Sequence, residues 1–215
     1  MNSYKVDLHT HSLDSPDGSL TFTQYKQMLD QKGLDYIAIT DHNTVRFALA
    51  AHAALGSNII VGEEVTTTDG ELIGLFLTKA IPAGLTPLET AKRIKAQGGL
   101  VYVPHPFETV RSGITPQALD SIADLVDIVE VRNGRAVFQN RSGQAEEWAA
   151  ARKLPGAASS DSHGWHGWGK TYSTIDHIPR KTTLASSLYA ARLTVGSGGL
   201  RAVLYPKFNR LRKGR

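Results

Sequence analysis

Short apolar runs that alternate with amphipathic segments constrain this chain more than any other feature. The runs are Tyr4–Leu8, Tyr36–Ile39, Ile59–Val65, Leu72–Leu77, Leu100–Val103, Val126–Val131 and Gly156–Ser160, and their length and content read as strands. Between and after them, Thr23–Lys32, Arg46–Leu55, Pro87–Gln97, Pro116–Leu125, Val137–Lys153 and Thr183–Leu193 read as helices, several with Thr or Ser near the start as a cap. Strand alternating with helix dictates a mostly parallel sheet with crossover helices, either a barrel or an open doubly wound sheet. No internal repeat, low-complexity tract or linker interrupts the pattern, so residues 1–215 are expected to form one α/β domain with a substantial core.

Composition narrows the function classes. The chain is 41% hydrophobic and 20% charged, as in an ordinary globular protein. It has no cysteine, which removes disulfides, thiolate-held zinc and a cysteine nucleophile. No basic segment followed by an apolar run opens the sequence, and no apolar stretch approaches membrane-spanning length, so a cytoplasmic location is the expectation. The net charge of +4 is modest and partly concentrated in Lys207 to Arg215, read as a basic, frayed tail. No basic patch interleaved with aromatics points to dedicated nucleic-acid binding.

Polar residues collect just after the strands. The first strand runs into His9, His11 and Asp17; the second into Asp41 and His42. The third carries Glu63 and Glu64, and Leu100–Val103 leads to His105. Val126–Val131 contains Glu130 and leads to Asn133 and Arg135, and the last run ends in Asp161 and His163. In a parallel α/β fold the C-terminal strand ends share one edge, where active sites form. Residues spread over about 150 positions of sequence would therefore converge.

Imidazole and carboxylate donors without sulfur suit Zn, Mn or Fe. Residues two apart in extended backbone face the same way, so His9 with His11, and Asp161 with His163, can each grip one ion. Each cluster alone has a plainer reading as a cap, turn or loop start. All of them falling at strand ends is what favours a metal site. His52, inside an apolar helix, and His177 read instead as structural. Spacing alone does not choose between Glu63 and Glu64.

The segments "DLHTHSLDSPDG", "YIAITDHNTV", "GEEVTT" with "GELIGLFL", "VYVPHPF", "VEVRNGR" and "SSDSH" resemble, in order, the motifs of the PHP (polymerase and histidinol phosphatase) superfamily of metal-dependent phosphoesterases. The resemblance runs from Val6 to His163, about three-quarters of the chain. It implies a distorted seven-stranded (β/α)7 barrel with two or three divalent ions, Zn, Mn or Fe, at the C-terminal strand ends. By motif, His9, His11, Glu64 and Asp161 would hold the first ion, with Glu64 bridging to a second held by His105. Asp17, His42 and His163 would surround a third. The family's glutamate follows Gly-x, which selects Glu64 over Glu63. Where many relatives place a further ligand, often histidine, this chain has Asn133 as the nearest match, a poorer ligand for Zn or Fe.

The implied activity is hydrolysis of phosphate esters by a metal-bridging hydroxide, on small phosphomonoesters or nucleotide-like substrates. Arg135 is the first candidate to grip phosphate, with Arg111 and Lys170 behind it; Asp41 would orient a ligand, and His166 would protonate the leaving group. Trp165 and Trp168 are placed either to stack on a base or to pack on the barrel rim. The expected partner is a small phosphorylated molecule, a nucleotide among the candidates, with no membrane. Competing readings are an amidohydrolase-type C–N or lactone hydrolase and a non-catalytic, metal-binding regulatory module. The substrate, native metal and oligomeric state are open.

Overall fold

The computed structural model describes residues 3–137 and 139–214. Nine strands among them form one sheet: β1 Tyr4–Asp7, β2 Tyr36–Ile39, β3 Ile59–Thr66, β4 Glu71–Leu75, β5 Leu100–Val103, β6 Ile128–Asn133, β7 Gly156–Ser159, β8 Tyr172–Ile175 and β9 Arg192–Thr194. The helices are α1 Phe22–Asp30, α2 Arg46–Leu55, α3 Pro87–Ala96, α4 Pro116–Ser121, α5 Ser142–Ala151, α6 Leu184–Leu188 and α7 Gly199–Arg212. Strand order is β7-β6-β5-β4-β3-β2-β1-β8-β9. The runs β1–β2–β3 and β5–β6–β7 are parallel, whereas β4 is antiparallel to both neighbours and β8 and β9 are antiparallel additions beside β1.

Alternation along the strands sorts the core into two layers. Tyr36, Ala38, Ile60, Ile73, Tyr102 and Ile128 share an inner cluster, joined by Leu184 and Leu188 of α6. Ile37, Ile39, Val61, Val101 and Val129 pack outward with the helices. The sheet curls until the chain beyond β7 meets the chain beyond β1. There Thr10 pairs with Ser162, His11 N donates to Ser162 O at 2.8 Å, and Ser160 donates to Asp7 through its amide (3.0 Å) and hydroxyl (2.6 Å). The result is a nearly closed, barrel-like sheet.

Helix starts follow their caps. Thr21 with Gln24, and Thr86 with Glu89, form reciprocal capping boxes before α1 and α3, and Thr115 caps α4 ahead of Pro116. Elsewhere the outcome differs from the sequence pattern. The sheet has nine strands rather than seven, because β8 has its apolar residues interrupted by Ser173 and Thr174 and β9 has only three residues, so neither offers an apolar run. The helix expected over Thr183–Leu193 stops at Leu188, and residues 192–194 become β9. The helix expected from Val137 starts at Ser142; Phe138 lies outside the described residues. The strand expected to Leu77 ends at Leu75, where Phe76 turns to φ 60°. The tail expected to fray is helical from Lys207 to Arg212, as the second half of α7; Arg215 lies outside the described residues. No helix among the described residues is long and apolar enough to cross a membrane.

Candidate metal centre

One edge of the sheet gathers the polar residues. His9 and His11 follow β1, and the chain then curls through residues 12–18 to present Asp17. That curl needs Gly18, where a Cβ would fall 2.1 Å from Ser12 O. Asp41 and His42 follow β2, Glu64 lies near the end of β3, His105 follows β5, and Asp161 and His163 follow β7. His105 (φ 28°) and Asp161 (φ 51°) hold left-handed backbone that non-glycine residues seldom adopt.

Four sets of donor atoms come close enough to hold an ion: His9, His11 and Asp161; His9, Glu64 and His105; His11, Asp17, His42 and His163; and His42, Glu64 and Glu71. Glu64 belongs to two of them and lies close to four imidazoles. Its Oε1 is 3.1 Å from His105 Nε2, and its Oε2 is 3.2 Å from His42 Nδ1, 3.3 Å from His11 Nε2 and 3.4 Å from His9 Nε2. Glu63 points the other way, accepting from Ile81 N at 2.7 Å, and burial pushes its pKa up to about 7.

Hydrogen bonds behind the histidines fix which nitrogen is free. His9 Nδ1 faces Glu130 Oε1 at 3.2 Å and so carries the proton. His11 Nδ1 faces Ser15 Oγ at 3.1 Å, while that hydroxyl donates to Asp41 Oδ1 at 2.9 Å, so His11 Nδ1 is also the donor. His163 Nδ1 donates to Asp161 O at 2.9 Å. The free Nε2 atoms of His9 and His11 then face each other at 3.0 Å, with Asp161 Oδ1 3.7 and 3.5 Å away. Two ring nitrogens at that separation repel, whether both are bare or both protonated, unless a metal cation lies between them. Ligands at about 2.0–2.1 Å around a tetrahedral ion lie roughly 3.3 Å apart, so the spacing suits one. Asp17 Oδ1 and His105 Nδ1, both buried, have no hydrogen-bond partner. The residues therefore fit divalent metal.

The titrations reflect this crowding. Burial alone would depress His9, yet the charges of Glu64, Asp161 and Glu130 hold it well above the ordinary histidine value. Burial likewise opposes protonation of His11, but hydrogen bonds to Asp161 and Glu64 carry it to about 9. Burial would raise Glu64 and Asp161; nearby cationic groups, His9 and His42 for the first and Arg135 and His9 for the second, hold both well below the carboxylate range. Burial, with the His11 and Arg135 charges, drops His163 to about 3, keeping it a neutral donor.

Other expected site residues are placed differently. Asp41 is fully buried and does not reach the cleft; it accepts from Ser12 N (2.6 Å), Ser12 Oγ (2.5 Å) and Ser15 Oγ, and so orients His11 through Ser15. Asp41→Ala is expected to weaken metal binding by roughly 10–100-fold while His11 remains in place, checked by chelator competition. Asn133, expected as a ligand, has its Oδ1 engaged by Arg111 Nη1 (2.5 Å) and Arg135 N (2.8 Å), and its Nδ2 donates to Glu130 Oε2 (2.8 Å). It stands behind the cluster because β6 continues through it and fixes its side chain between Glu130 and the arginines. His166 is exposed and stacks on Tyr205 of α7 (6.2 Å, 15°), away from the cluster. Trp168 packs on Tyr25 and donates to Asp7 Oδ2 at 3.1 Å, so it belongs to the rim. Lys170 does not line the cleft.

Two residues, Glu71 and Arg210, were missed as site residues, and Glu130, noted in its strand without a role, has one. Glu71, at the start of β4, reaches the cluster because β4 is antiparallel and brings its first residue, not its last, to this edge; burial and the Glu64 charge push it to about 8. Glu130 underlies the site, accepting also from Tyr102 OH (2.9 Å) and His105 N (2.7 Å). Arg210 of α7 reaches Asp17 Oδ2 at 2.8 Å. Asp7 and Asp14 are not gathered: Asp7 serves the barrel seam, and Asp14 pairs with Arg46 at 2.9 Å.

A cleft of about 470 Å³ opens over the cluster. Arg111 and Arg135 line it on the sheet side, and Lys207 and Arg210 of α7 line the other wall. Arg111 is braced by Glu108 and Asp161 Oδ2 (2.8 Å), and Arg135 lies 3.2 Å from both Asp161 oxygens. The buried Arg135 Nε has no partner.

The PHP domain family model matches residues 7–100. The uncharacterised protein MJ1587 of Methanocaldococcus jannaschii is 33% identical over 149 residues, 63% of this chain and 87% of its own length. A two-domain protein from Bacteroides vulgatus containing a predicted PHP-like metal-dependent phosphoesterase superposes with a TM-score of 0.69 at 20% identity, covering 97% of this chain and 70% of that one. The lesion-specific endonuclease PfuEndoQ of Pyrococcus furiosus gives a TM-score of 0.63 at 16% identity, over 89% of this chain and 58% of its own. With its ordered motifs, its barrel and its convergent imidazoles and carboxylates, this chain belongs to the PHP domain family.

Proposed function

We propose that the chain hydrolyses phosphate esters, with small phosphomonoesters and nucleotides as substrates. The observation that carries this reading is the pairing, in one cleft, of a buried nitrogen-and-oxygen donor cluster with two braced arginines. The cleft volume of about 470 Å³ suits a nucleotide-sized ligand. His9, His11, Glu64 and Asp161 would hold one ion, Glu64 and His105 a second, and Asp17, His42 and His163 a third. Bound divalent ions supply Lewis-acid polarisation of the ester and lower the pKa of the attacking water.

The chain's own groups do the rest. Arg111 and Arg135 line the cleft and present guanidinium donors to phosphate oxygens. Their positions are fixed by Asp161, Glu108 and Asn133, so little reorganisation is needed as charge builds on the phosphate. Glu130 and the Ser15–Asp41 pair hold protons on the Nδ1 atoms of His9 and His11, keeping the Nε2 atoms available. An amidohydrolase reading expects a lysine-derived bridging ligand, whereas here Glu64 lies within 3.4 Å of four imidazoles.

The test is phosphate release from p-nitrophenyl phosphate, a nucleotide panel and short oligonucleotides, with Zn²⁺ or Mn²⁺ supplied. Arg135→Ala is expected to lower kcat/KM by about 100-fold, with Arg135→Lys recovering part of it. Cleavage of amides or lactones without phosphate release from any ester would defeat the reading.

A further inference from the structure

The last turn of α7 is fastened to the loop that carries Asp17. Asn209, buried to 4% exposure, donates its amide to the main-chain carbonyls of Asp17 (2.7 Å) and His163 (3.0 Å). One side chain thus ties together two residues that the sequence separates by almost 150 positions and the metal centre brings together. Lys213 Nζ donates to the carbonyls of Leu13 (2.8 Å), Ser15 (2.6 Å) and Gly18 (2.7 Å), so the 13–18 curl wraps around a single ammonium.

Arg210 acts on the carboxylate itself. Its Nη2 holds Asp17 Oδ2 at 2.8 Å. The other oxygen, Oδ1, has no hydrogen-bond partner and is turned toward Nε2 of His42 and of His163, 3.5 Å from each. A carboxylate free at both oxygens rotates and hydrates. One pinned at Oδ2 has Oδ1 aimed permanently at the two imidazoles. This is the arrangement by which outer groups orient metal ligands. Residues 209, 210 and 213 face the barrel, while Leu204 and Phe208, at 46% and 61% exposure, face away.

We propose that Asn209, Arg210 and Lys213 are positioning residues for the metal position formed by Asp17, His42 and His163, so that the C-terminal helix determines whether this ion is held. The inference rests on the metal-dependent reading above but not on the identity of the ester. It explains why a basic segment with no acidic residue after Asp176 folds back over a cluster of carboxylates.

The test titrates the metal-free full chain with Zn²⁺ against a chromophoric chelator. In Arg210→Ala and Asn209→Ala, one Zn²⁺ equivalent is expected to weaken by roughly 10–100-fold while the others keep wild-type affinity. Arg210→Lys should restore part of the loss, and Arg212→Ala, exposed on the same helix, should leave every equivalent unchanged. Wild-type affinity for all equivalents in both alanine variants overturns the proposal. So does uniform weakening of all equivalents together with a lower Tm, which marks a merely structural helix. A wild-type chain that takes up no Zn²⁺ overturns this inference and the metal-dependent reading together. The expected Zn²⁺ pattern in a chain that cleaves no ester supports this inference and defeats only the proposed activity.

Discussion

Glu64→Gln is expected to reduce phosphate-ester hydrolysis by about 1,000-fold or more and to cost at least one metal equivalent per chain. Four imidazoles converge on this carboxylate at 3.1–3.4 Å, more than on any other residue of the centre. The substitution keeps the volume and one acceptor oxygen, and its new N–H can donate to a histidine lone pair, so the barrel should fold. It removes the negative charge and the second oxygen needed to serve two ions at once. Metal content by elemental analysis and kcat on p-nitrophenyl phosphate measure both losses. Glu63→Gln is the paired control, because Glu63 faces Ile81 N on the other side of β3. Wild-type metal content and rate in Glu64→Gln, with the losses appearing in Glu63→Gln, would reverse the assignment.

Metal removal is expected to lower Tm by roughly 8–16 °C. An ion present at 1,000 times its Kd stabilises the folded chain by about 4 kcal/mol, and each kcal/mol moves Tm by roughly 2–4 °C at this length. The effect should depend on pH. In the metal-free chain His11 titrates at about 9, above its ordinary 6.5, so protonation stabilises the fold fully below 6.5 and fades as pH rises through 9. Metal needs that same nitrogen unprotonated. The Tm difference between metal-loaded and chelated protein should therefore grow from pH 6 to pH 8. A difference that is constant or shrinks over that range would mean that His11 is not in competition between proton and metal.

Much of the centre was legible because the local code repeats: strand, then donor, at one edge. His9, His11, His42, His105, Asp161 and His163 are gathered where the alternation of strands and helices places them. The failures have specific causes. Glu71 escaped because the strand-end rule assumes parallel strands, and β4 runs the other way. Asn133 had the right position in the motif order, but its orientation depends on Arg111 and Glu130, which only packing brings to it. Arg210 was hidden in a segment whose charge pattern reads as solvated, and its partner Asp17 lies 193 positions away. β8 escaped because Ser173 and Thr174 interrupt its apolar run, and β9 because it has only three residues.

The seam of the barrel has a consequence for how the molecule is held shut. No continuous ladder joins β7 to β1. The join is made by Thr10 with Ser162, by Ser160 with Asp7, and by Ser173 Oγ, which accepts from Ala158 N at 2.9 Å. His9 and His11 lie on one side of that join, and Asp161 and His163 lie on the other. The sheet is thus a hoop with one clasp, and an ion shared between these residues would be the clasp's pin. Mechanical integrity and chemistry would then depend on the same few atoms, and a chain stripped of its ions would loosen first at the place where it works.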